Sequence, residues 1–477
     1  MKIHTIPKEK GSRRREIRQM KKVITYGSFD LFHEGHYNLL KRAKELGDYL
    51  IVGITTEQFD ESRGKLNIVD SLIDRIEHVK ETGFADLIII EDHIGQKVED
   101  IQKYGVDIFT LGSDWEGKYD YLKELCEVVY LERTKNVSST MLRREKYPLI
   151  RLGMIGTGRI AARFAPETHF VSGIVLNSVY NPYRKQAEKF ATRYGLELYS
   201  EEVTEFLEHI DAVYIASPHE THYAYAKQAL LMGKHVLCEK PMTLKEEEAR
   251  ELFQIAEERK CVLLEAIKTA FCPGFQRLLS IAKSGTIGQI CDVEACFTRL
   301  TGENTRERTD KEYGGSFLEF GSQTLLPIFK LMGTEYKEIR FDSICDKNGI
   351  DLYTKAYLSY ENGMALSKSG VAVKSEGQLL IAGTKGYILA ESPWWLTRSF
   401  EVRYEDPNKK DTYTAKFLGD GLRYEISDFV NMIHAGEYKS YKFTEEEAIA
   451  MAGVMEKFLQ KRKENEKGGK RNEDMGT

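Results

Sequence analysis

The sequence predicts an α/β protein with three folded parts: two doubly wound parallel-sheet units in succession and a terminal α+β region with an open sheet. Three observations support this prediction. The 477 residues exceed what one ordinary hydrophobic core accommodates. Short apolar runs alternate with helical patterns twice, each time from a new first strand. Beyond residue 266, strand-like stretches show period-two alternation and glycine turns, which is typical of antiparallel pairing.

The first unit is predicted to span residues 22–147, after a polar leader at residues 1–21. Its apolar runs predict buried parallel strands at Val23–Tyr26, Tyr49–Ile54, Leu87–Ile90, Ile108–Leu111 and Val128–Leu131. Helical patterns that would supply the crossovers lie at Tyr37–Leu46, Leu72–Lys80 and Lys97–Tyr104. This alternation predicts a small doubly wound domain.

A second first strand at Leu149–Ile155 predicts a domain boundary near residue 148. We predict a second α/β domain over residues 148–267 and an α+β domain over residues 268–460. Strands of the latter are expected at Asp292–Thr298, Ala356–Tyr360, Gly363–Lys368 and Gly377–Ala382, in an antiparallel sheet. A helix from Thr444 to about Gln460 would close the fold. The charged, glycine-containing tail at residues 461–477 is predicted to be disordered.

The composition is that of a globular protein, with 42% hydrophobic residues, 30% charged residues and a net charge of -5. The absence of a positive excess argues against nucleic-acid binding. No stretch approaches the roughly 20 apolar residues that a membrane-spanning helix requires, and the first residues are too polar for a signal peptide. The seven cysteines have no paired spacing that would predict a metal site or disulfides. We therefore expect a cytoplasmic protein that binds neither membrane nor nucleic acid.

Two histidines at the start of the first helix predict a phosphate site. His33 and His36 are three residues apart, so their imidazoles face the same way near the positive end of the helix dipole. The helix begins in a tight turn after the first strand. A capping or core role is the alternative for either histidine alone. Lys44, two turns further on, is expected to add positive charge to the same site.

A second anion site is predicted downstream in the same unit. Arg133 precedes a cluster of hydroxyl side chains that would cap the next helix: Ser138, Ser139 and Thr140. Hydroxyl clusters of this kind are often caps only. Together with the histidine pair, the cluster favours a site for a polyphosphate.

These motifs resemble the cytidylyltransferases of the nucleotidyltransferase superfamily, particularly the glycerol-3-phosphate cytidylyltransferases. The resemblance covers about residues 22–145 and implies a Rossmann-like nucleotidyltransferase domain. It implies that His33 and His36 hold the phosphates of CTP, that Lys44 and Arg133 neutralise charge, and that Mg²⁺ accompanies CTP. The other implied nucleotide-binding residues are Gly27, Ser28, Phe29, Asp30, Asp114, Ser138, Ser139 and Thr140. Lys65 and Arg75 are the candidates for the acceptor phosphate. The family usually has isoleucine, serine and threonine where Val137 begins a Val-Ser-Ser run here.

The second unit carries a dinucleotide-binding fingerprint. Gly156, Gly158 and Ala161 form Gly-x-Gly-x-x-Ala between an apolar strand and a helix. The next strand ends near Asn181, without the acidic residue that would bind a ribose 2′-hydroxyl, and Arg184 follows. This arrangement favours NADP over NAD and leaves both open.

Further candidate residues follow two later strands of this unit. Ser217 and His219 come after one strand, and Glu239 and Lys240 after the next. Ligands bind at the carboxyl ends of strands in open α/β sheets. A lysine held before proline at such an edge could polarise or protonate a carbonyl group. A surface lysine in a turn is the alternative.

The Glu-Lys-Pro motif at Glu239, the Ser-Pro-His-x-x-His motif at Ser217 and the Leu-Glu-Ala motif at Leu264 resemble the glucose–fructose oxidoreductase and inositol dehydrogenase superfamily. The resemblance implies that Lys240 is catalytic, that the preceding strand ends contact NADP or NAD, and that the open sheet often mediates dimers. The superfamily has an Asp followed four residues later by His or Tyr. This chain has Glu319 and Gln323 there. Because an amide cannot exchange a proton, the usual acid–base residue is missing.

Together, the two resemblances predict a bifunctional enzyme. An oxidoreductase half would reduce a keto- or aldehyde-phosphate to a polyol phosphate. The cytidylyltransferase half would convert that product and CTP to a CDP-polyol, which feeds teichoic-acid-like or capsular polymers. Two alternatives remain open: a cytidylyltransferase whose second half only dimerises or senses NADP, and a non-catalytic nucleotide-binding scaffold. A homodimer or higher homo-oligomer is expected, since both families commonly dimerise.

Overall fold

The fold is described from a computed structural model, which places residues 20–56, 59–60, 68, 70–132 and 149–474, with side chains as far as residue 464. Its strands form three sheets: two parallel α/β sheets and one mixed sheet. The predicted fold class is therefore confirmed. The described residues separate into two compact units, one before residue 133 and one after residue 148. The finer domain boundaries stay predictions.

The first unit is a five-stranded parallel sheet with the order β3-β2-β1-β4-β5. The strands are β1 (Lys22–Gly27), β2 (Tyr49–Thr55), β3 (Leu87–Glu91), β4 (Ile108–Gly112) and β5 (Glu127–Leu131). The helices are α1 (Glu34–Glu45), α2 (Leu72–Glu81) and α3 (Gln96–Tyr104). The middle residues of β1, β2 and β4 are buried, because crossovers cover both faces of a parallel sheet.

The second unit begins with a six-stranded parallel sheet in the order β11-β10-β9-β6-β7-β8. The strands are β6 (Ile150–Ile155), β7 (Ile174–Tyr180), β8 (Leu198–Ser200), β9 (Ala212–Ile215), β10 (His235–Glu239) and β11 (Leu263–Ala266). The helices are α4 (Arg159–Glu167), α5 (Arg184–Tyr194), α6 (Val203–Glu208), α7 (His222–Leu231) and α8 (Glu246–Arg259).

The remainder of the second unit is an eight-stranded sheet in the order β13-β14-β15-β12-β16-β17-β18-β19. Its strands are β12 (Ile290–Thr298), β13 (Glu338–Cys345), β14 (Asp351–Tyr360), β15 (Gly363–Gly370), β16 (Leu379–Gly383), β17 (Tyr387–Ala390), β18 (Ser399–Arg403) and β19 (Lys410–Thr414). The helices are α9 (Pro273–Lys283), α10 (Arg306–Thr309), α11 (Ser316–Met332), α12 (Leu422–Ala435) and α13 (Glu445–Asp474). The mostly apolar α11 is largely buried and packs on β12, β14 and β15.

Two predictions about this region are wrong. The sheet is mixed and not antiparallel, because β12 pairs in parallel with β15 at its centre. Strands β13 and β14 lie between them in sequence, and this long connection allows parallel pairing. The tail is helical through Asp474 and not disordered from residue 461. Lys and Glu residues three and four apart, such as Lys461 and Glu464 at 3.6 Å, favour continuation of the helix.

A buried ion pair joins α4 to α12 within the second unit. Arg423 donates from Nε to Oε2 of Glu167 at 2.9 Å and from Nη2 to Oε1 at 2.7 Å. Both side chains are buried, and the guanidinium lies 3.8 Å from the ring centroid of Phe170. A paired charge of this kind is tolerated inside a protein only while both partners are present. No helix in the described ranges is long and apolar enough to cross a bilayer.

Replacing Arg423 with methionine should destabilise the second unit by about 3 kcal/mol, because Glu167 would be left as an uncompensated buried charge. Urea unfolding followed by intrinsic fluorescence measures this change. The matched control is Arg250→Met, which removes an exposed pair with Glu246 and should change stability by less than about 0.5 kcal/mol. Equal effects of the two substitutions would contradict the structural role of Arg423.

Candidate active sites

The first site lies where the strand order of the first sheet reverses. Strands β2 and β3 follow β1 on one side, whereas β4 and β5 lie on the other. In open α/β sheets, ligands bind in the crevice outside the carboxyl ends of the strands at such a point. The predicted nucleotide-binding residues Gly27, Ser28, Phe29 and Asp30 follow β1, and Asp114 follows β4 in a short turn. The topology therefore places both groups at one crevice.

The structure brings His33 and His36 together. Their ring centroids are 4.0 Å apart and their planes differ by 22°. His33 is the N-cap of α1, and its Nδ1 accepts a hydrogen bond from the Gly35 amide at 3.0 Å. A neutral His33 ring therefore carries its proton on Nε2. The rings of Phe29 and Phe32 flank His36 at 5.4 and 5.5 Å. Two adjacent imidazoles at a helix N-terminus suit a polyphosphate.

Gly35 is required by the position of the His33 ring. A Cβ atom at residue 35 would lie 2.8 Å from Cε1 of His33. The loop that leads into the helix is also fixed. The carboxylate of Asp70 accepts from the Leu31 amide at 2.9 Å, and the Asp70 amide donates to Asp30 at 2.8 Å. These reciprocal bonds hold the loop between β1 and α1 against the start of α2.

Arg75 lies beneath this loop. Its buried guanidinium donates to the backbone oxygens of Ser28 at 2.9 Å, Thr55 at 2.8 Å and Asp70 at 3.1 Å. Arg75 thus joins three chain segments around the crevice, a supporting role that the sequence analysis did not foresee. Its direct contact with an acceptor phosphate stays a prediction.

Lys44 does not share the histidine site, so this prediction is wrong. Its ammonium bonds the backbone oxygen of Asp48 at 2.9 Å and pairs with the carboxylate of Asp86. Both aspartates precede strands, which places Lys44 at the amino-terminal edge of the sheet. An α-helix rises about 1.5 Å per residue, so Lys44 lies about 16 Å along the helix from His33. Helical spacing correctly predicted that Lys44 lies on α1. The residue lies in the last turn of that helix, however, and the histidines lie at its start.

Several predicted residues of the first site lie outside the described residues: Lys65, Arg133, Ser138, Ser139 and Thr140. Their approach to the histidine pair stays a prediction. One unpredicted neighbour is present. The ring of His78, on α2, lies 6.1 Å from that of Phe32, and its Nδ1 is 3.9 Å from the Asp70 carboxylate. A single histidine within a helical pattern gives no sequence signal of such proximity.

The second site lies at the corresponding reversal in the six-stranded sheet, between β6 and β9. Gly156 has φ 102°, and a Cβ there would lie 2.5 Å from the Ala216 carbonyl oxygen, so only glycine fits. A Cβ at Gly158 would meet open space, and Ala161 is buried against the sheet. The amides at the start of α4 face the crevice and suit a pyrophosphate. The structure thus provides the cradle that a dinucleotide needs.

The loop after β7 borders this cradle. Asn181 Nδ2 donates to the Thr157 hydroxyl at 2.9 Å, and Asn181 Oδ1 accepts from the Tyr183 amide at 2.9 Å. Arg184 begins α5, and its largely exposed guanidinium is 3.8 Å from Glu201. The loop presents a cation and no carboxylate next to Asn181. This favours a cofactor with a phosphate on the adenosine ribose.

Lys240 connects this crevice to α11. Its Nζ donates to the backbone oxygen of Glu319 at 2.9 Å, and Gln323 lies one turn further along the same helix. Burial lowers the pKa of His219 well below its usual range, and His222 and Lys240 add to the effect. His219 is therefore a neutral ring. Predicted residues from distant parts of the second unit thus meet at one crevice.

Buried hydrogen bonds hold the loops of this site. The ring of His222 lies close to the backbone of two loops. Its Nδ1 is 2.9 Å from the carbonyl oxygen of Pro241, and its Nε2 is 2.8 Å from the carbonyl oxygen of Ser217. Glu239 accepts from the Tyr214 hydroxyl at 2.6 Å, and burial raises the pKa of this carboxyl. The spacing of the Ser-Pro-His-x-x-His motif does not reveal these contacts of His222.

Two ion pairs from α10 cross the same crevice and were not foreseen. Arg306 pairs with Glu220 at 2.5 Å, and Glu307 pairs with Arg159 at the start of α4. Partners this far apart in sequence give no local signal, so only the packed structure reveals them. Among the described residues, no group of three or more His, Cys, Asp or Glu side chains is arranged to hold a metal ion.

Comparisons with known proteins match the two units separately. Residues 24–145 match the family described as cytidylyltransferase-like, and residues 150–266 match the oxidoreductase family with an NAD-binding Rossmann fold. Glycerol-3-phosphate cytidylyltransferase of Staphylococcus aureus is 46% identical over 128 residues, which cover 27% of this chain and 96% of the relative. The NADP(+)-dependent scyllo-inositol 2-dehydrogenase of Bacillus subtilis is 27% identical over 316 residues, which cover 65% of this chain and 95% of the relative.

A solved structure shares the fold of the second unit. The 3-ketoreductase KijD10 of Actinomadura kijaniata, in complex with NADP and TDP-benzene, superposes with a TM-score of 0.57 and 22% identity. The likeness covers 64% of this chain and 95% of that one. At this identity the comparison supports the fold alone.

The two glycines give a reciprocal test of both sites. Gly35→Ala should displace the His33 ring and weaken CTP binding at least tenfold, with NADPH binding unchanged. Gly156→Ala should do the reverse, because its Cβ would collide with the Ala216 oxygen. Isothermal titration with CTP and NADPH fluorescence measure the two affinities, and each variant is the control for the other. Loss of both ligands in either variant would contradict separate sites.

Proposed function

The chain belongs to the cytidylyltransferase-like family through its first unit and to the NAD-binding Rossmann oxidoreductase family through its second, and from this premise we propose that it makes a CDP-polyol in two coupled steps. It is a bifunctional enzyme with cytidylyltransferase and NAD(P)-dependent oxidoreductase halves. In the proposal, the second half reduces a keto- or aldehyde-phosphate to a polyol phosphate. The first half then activates that polyol phosphate with CTP.

The stacked pair of His33 and His36 carries the first step. A phosphate oxygen of glycerol 3-phosphate, or of a similar polyol phosphate, attacks the α-phosphorus of CTP in line. The bond to the β-phosphate breaks and pyrophosphate leaves. No protein nucleophile is needed, so catalysis rests on positioning and on stabilising charge. Imidazole donors at the N-terminus of α1 supply that stabilisation.

Among the described residues at this crevice, no group of three or more His, Cys, Asp or Glu side chains is arranged to hold the expected Mg²⁺. Asp30 and Asp70, carboxylates on the β1–α1 loop and its partner segment, accept hydrogen bonds from backbone amides. Mg²⁺ would therefore enter with CTP, held by its phosphates. We assign the stabilisation of the negative charge on the leaving pyrophosphate to the histidine pair and to the predicted Arg133 and hydroxyl cluster.

The crevice of the second unit fits a nicotinamide dinucleotide, because a Cβ at Gly158, next to the start of α4, would meet open space. Gly156, Gly158 and the amides of α4 would hold it, with Asn181 and Arg184 near the adenosine ribose. The bound cofactor would supply a hydride. Arg184 and the lack of a carboxylate after β7 support NADP over NAD.

Lys240 carries the proton in the proposed reduction. The substrate carbonyl carbon receives the hydride, and the Lys240 ammonium donates a proton to the carbonyl oxygen to give the hydroxyl. Gln323 can hydrogen-bond a substrate hydroxyl but cannot exchange a proton, so Lys240 acts without the usual second group. The intact fingerprint and the contact of Lys240 with α11 support an active reductase over a domain that only binds NADP.

The product suggests a setting for the protein. CDP-activated polyols are donors for teichoic-acid-like or capsular polymers, and we propose that this chain supplies one. We further propose that it acts in the cytoplasm as a homodimer or higher homo-oligomer.

His36→Ala should reduce the rate of cytidylyl transfer from CTP to glycerol 3-phosphate by at least about 100-fold, because charge stabilisation in the transition state is lost. Release of pyrophosphate measures this rate. His93, an exposed histidine in the same unit, is the control, and His93→Ala should stay within about twofold of the parent. Circular dichroism checks that both variants fold. A His36→Ala enzyme with full activity would reject the assignment.

The coupling is tested by supplying CTP and NADPH with short-chain keto- and aldehyde-phosphates, and by detecting CDP-polyols by mass spectrometry. Lys240→Ala should abolish product from the keto-phosphate but retain product from the ready-made polyol phosphate. The His36→Ala enzyme should still oxidise NADPH with the keto-phosphate but should form no CDP-polyol.

If the enzyme oxidises NADPH with none of the candidate keto- and aldehyde-phosphates but still cytidylylates glycerol 3-phosphate, the proposed coupling is rejected. That result would leave the cytidylyltransferase assignment intact.

A further inference from the structure

Buried polar groups hold the turn that carries Lys240. The Lys240 amide faces the Glu239 carboxylate, and the Pro241 oxygen lies 2.9 Å from His222 Nδ1. The Met242 amide donates to Oε1 of Glu265 at 3.1 Å. Pro241 and Met242 thus have buried partners from two other chain segments. Such a turn fixes the backbone position from which the Lys240 side chain extends.

Glu265 is the partner with no assigned role. It lies on β11 opposite Cys238 of β10 and is only 2% exposed. Burial raises the pKa of Glu265 to about 8, with Glu239 adding to the rise and the Met242 amide and Lys240 opposing it. The carboxyl is therefore protonated at neutral pH and ionises above about pH 8. Titratable groups facing it are Cys238 and Glu239 on β10 and Lys240 in the turn.

The protonated form of Glu265 explains how a carboxyl group is tolerated at this buried position on β11. An ionised Glu265 would add a second negative charge beside the buried Glu239, which is costly in a region of low dielectric. The protonated form still offers a carbonyl oxygen to the Met242 amide. One neutral side chain therefore holds the turn that carries Lys240.

We propose that Glu265 is a positioning residue for Lys240, holding its turn through the Met242 amide. The inference rests on the proposed reductase function, in which Lys240 transfers the proton. Because Gln323 cannot share proton transfer, the placement of Lys240 becomes the decisive feature of the site.

Two substitutions of Glu265 distinguish its hydrogen bond with the Met242 amide from its ionisation. Glu265→Leu removes the acceptor for the Met242 amide and should lower kcat for keto-phosphate reduction at least tenfold, with KM for NADPH within twofold of the parent. Glu265→Gln keeps an acceptor oxygen and should recover most of that loss at neutral pH. It should also remove the inflection near pH 8 from the pH–rate profile. Glu251→Gln, an exposed carboxylate on α8, is the matched control.

A second measurement needs no substrate. Lys240 is labelled competitively with acetic anhydride over a pH series, and peptide mass spectrometry compares it with the exposed Lys245. In Glu265→Leu, the labelling rate of Lys240 relative to Lys245 should rise at least twofold, because the turn no longer holds the lysine at the Glu319 oxygen. Glu265→Gln keeps the acceptor for the Met242 amide and should stay close to the parent. Glu251→Gln should leave the profile unchanged.

The two measurements distinguish failure of this inference from failure of the proposed function. If the parent enzyme reduces no candidate substrate but Glu265→Leu still raises Lys240 labelling, the reductase proposal falls and the positioning of Lys240 by Glu265 stands. Unchanged kcat together with unchanged labelling in Glu265→Leu overturns the inference. Equal loss of activity in both Glu265 variants, with unchanged labelling, also overturns it, because general destabilisation would then explain the loss.

Discussion

Both sites depend on one constraint: the segment that joins the first strand of a parallel sheet to the next helix must leave space for neighbouring protein atoms. In each unit the strand order reverses at that first strand, so the crevice opens where a helix begins. Unpaired amides and the helix dipole then favour phosphate groups. Gly35 and Gly156 leave that space, one for the His33 ring and one for the Ala216 backbone. In the proposed function, this arrangement would serve a triphosphate in one unit and a pyrophosphate in the other.

The units differ in what surrounds that turn. In the first, Arg75 and the Asp30–Asp70 bonds hold the loops by saturating backbone oxygens and amides. In the second, buried carboxyls do this work, and burial raises the pKa of both Glu239 and Glu265. A neutral carboxyl holds a loop without the desolvation cost of a charge. Buried hydrogen bonds thereby hold the Lys240 turn.

Long-range contacts define the second site more than its motifs do. Lys240 reaches the Glu319 backbone on α11, and the ion pairs of Arg306 and Glu307 tie α10 to loops of the parallel sheet. These contacts bring the α+β part of the second unit against the dinucleotide crevice. Residues from both parts therefore lie at this crevice. The Glu319 and Gln323 departures matter for this reason, since Lys240 contacts α11.

The sequence by itself determined the fold class, the two glycine turns and the pairing of His33 with His36, because each depends on neighbours within one strand or one helical turn. It also identified Lys240 from a short motif at a strand end. It misplaced Lys44, since helical periodicity tells which face a residue takes but not which edge of the sheet it reaches. Only the tertiary structure decided the parallel pairing of β12 with β15, the contacts of Arg75 and the clamp of Glu265 on Met242. Those features join segments far apart in the chain, and their energies arise from burial and packing, which local pattern does not encode.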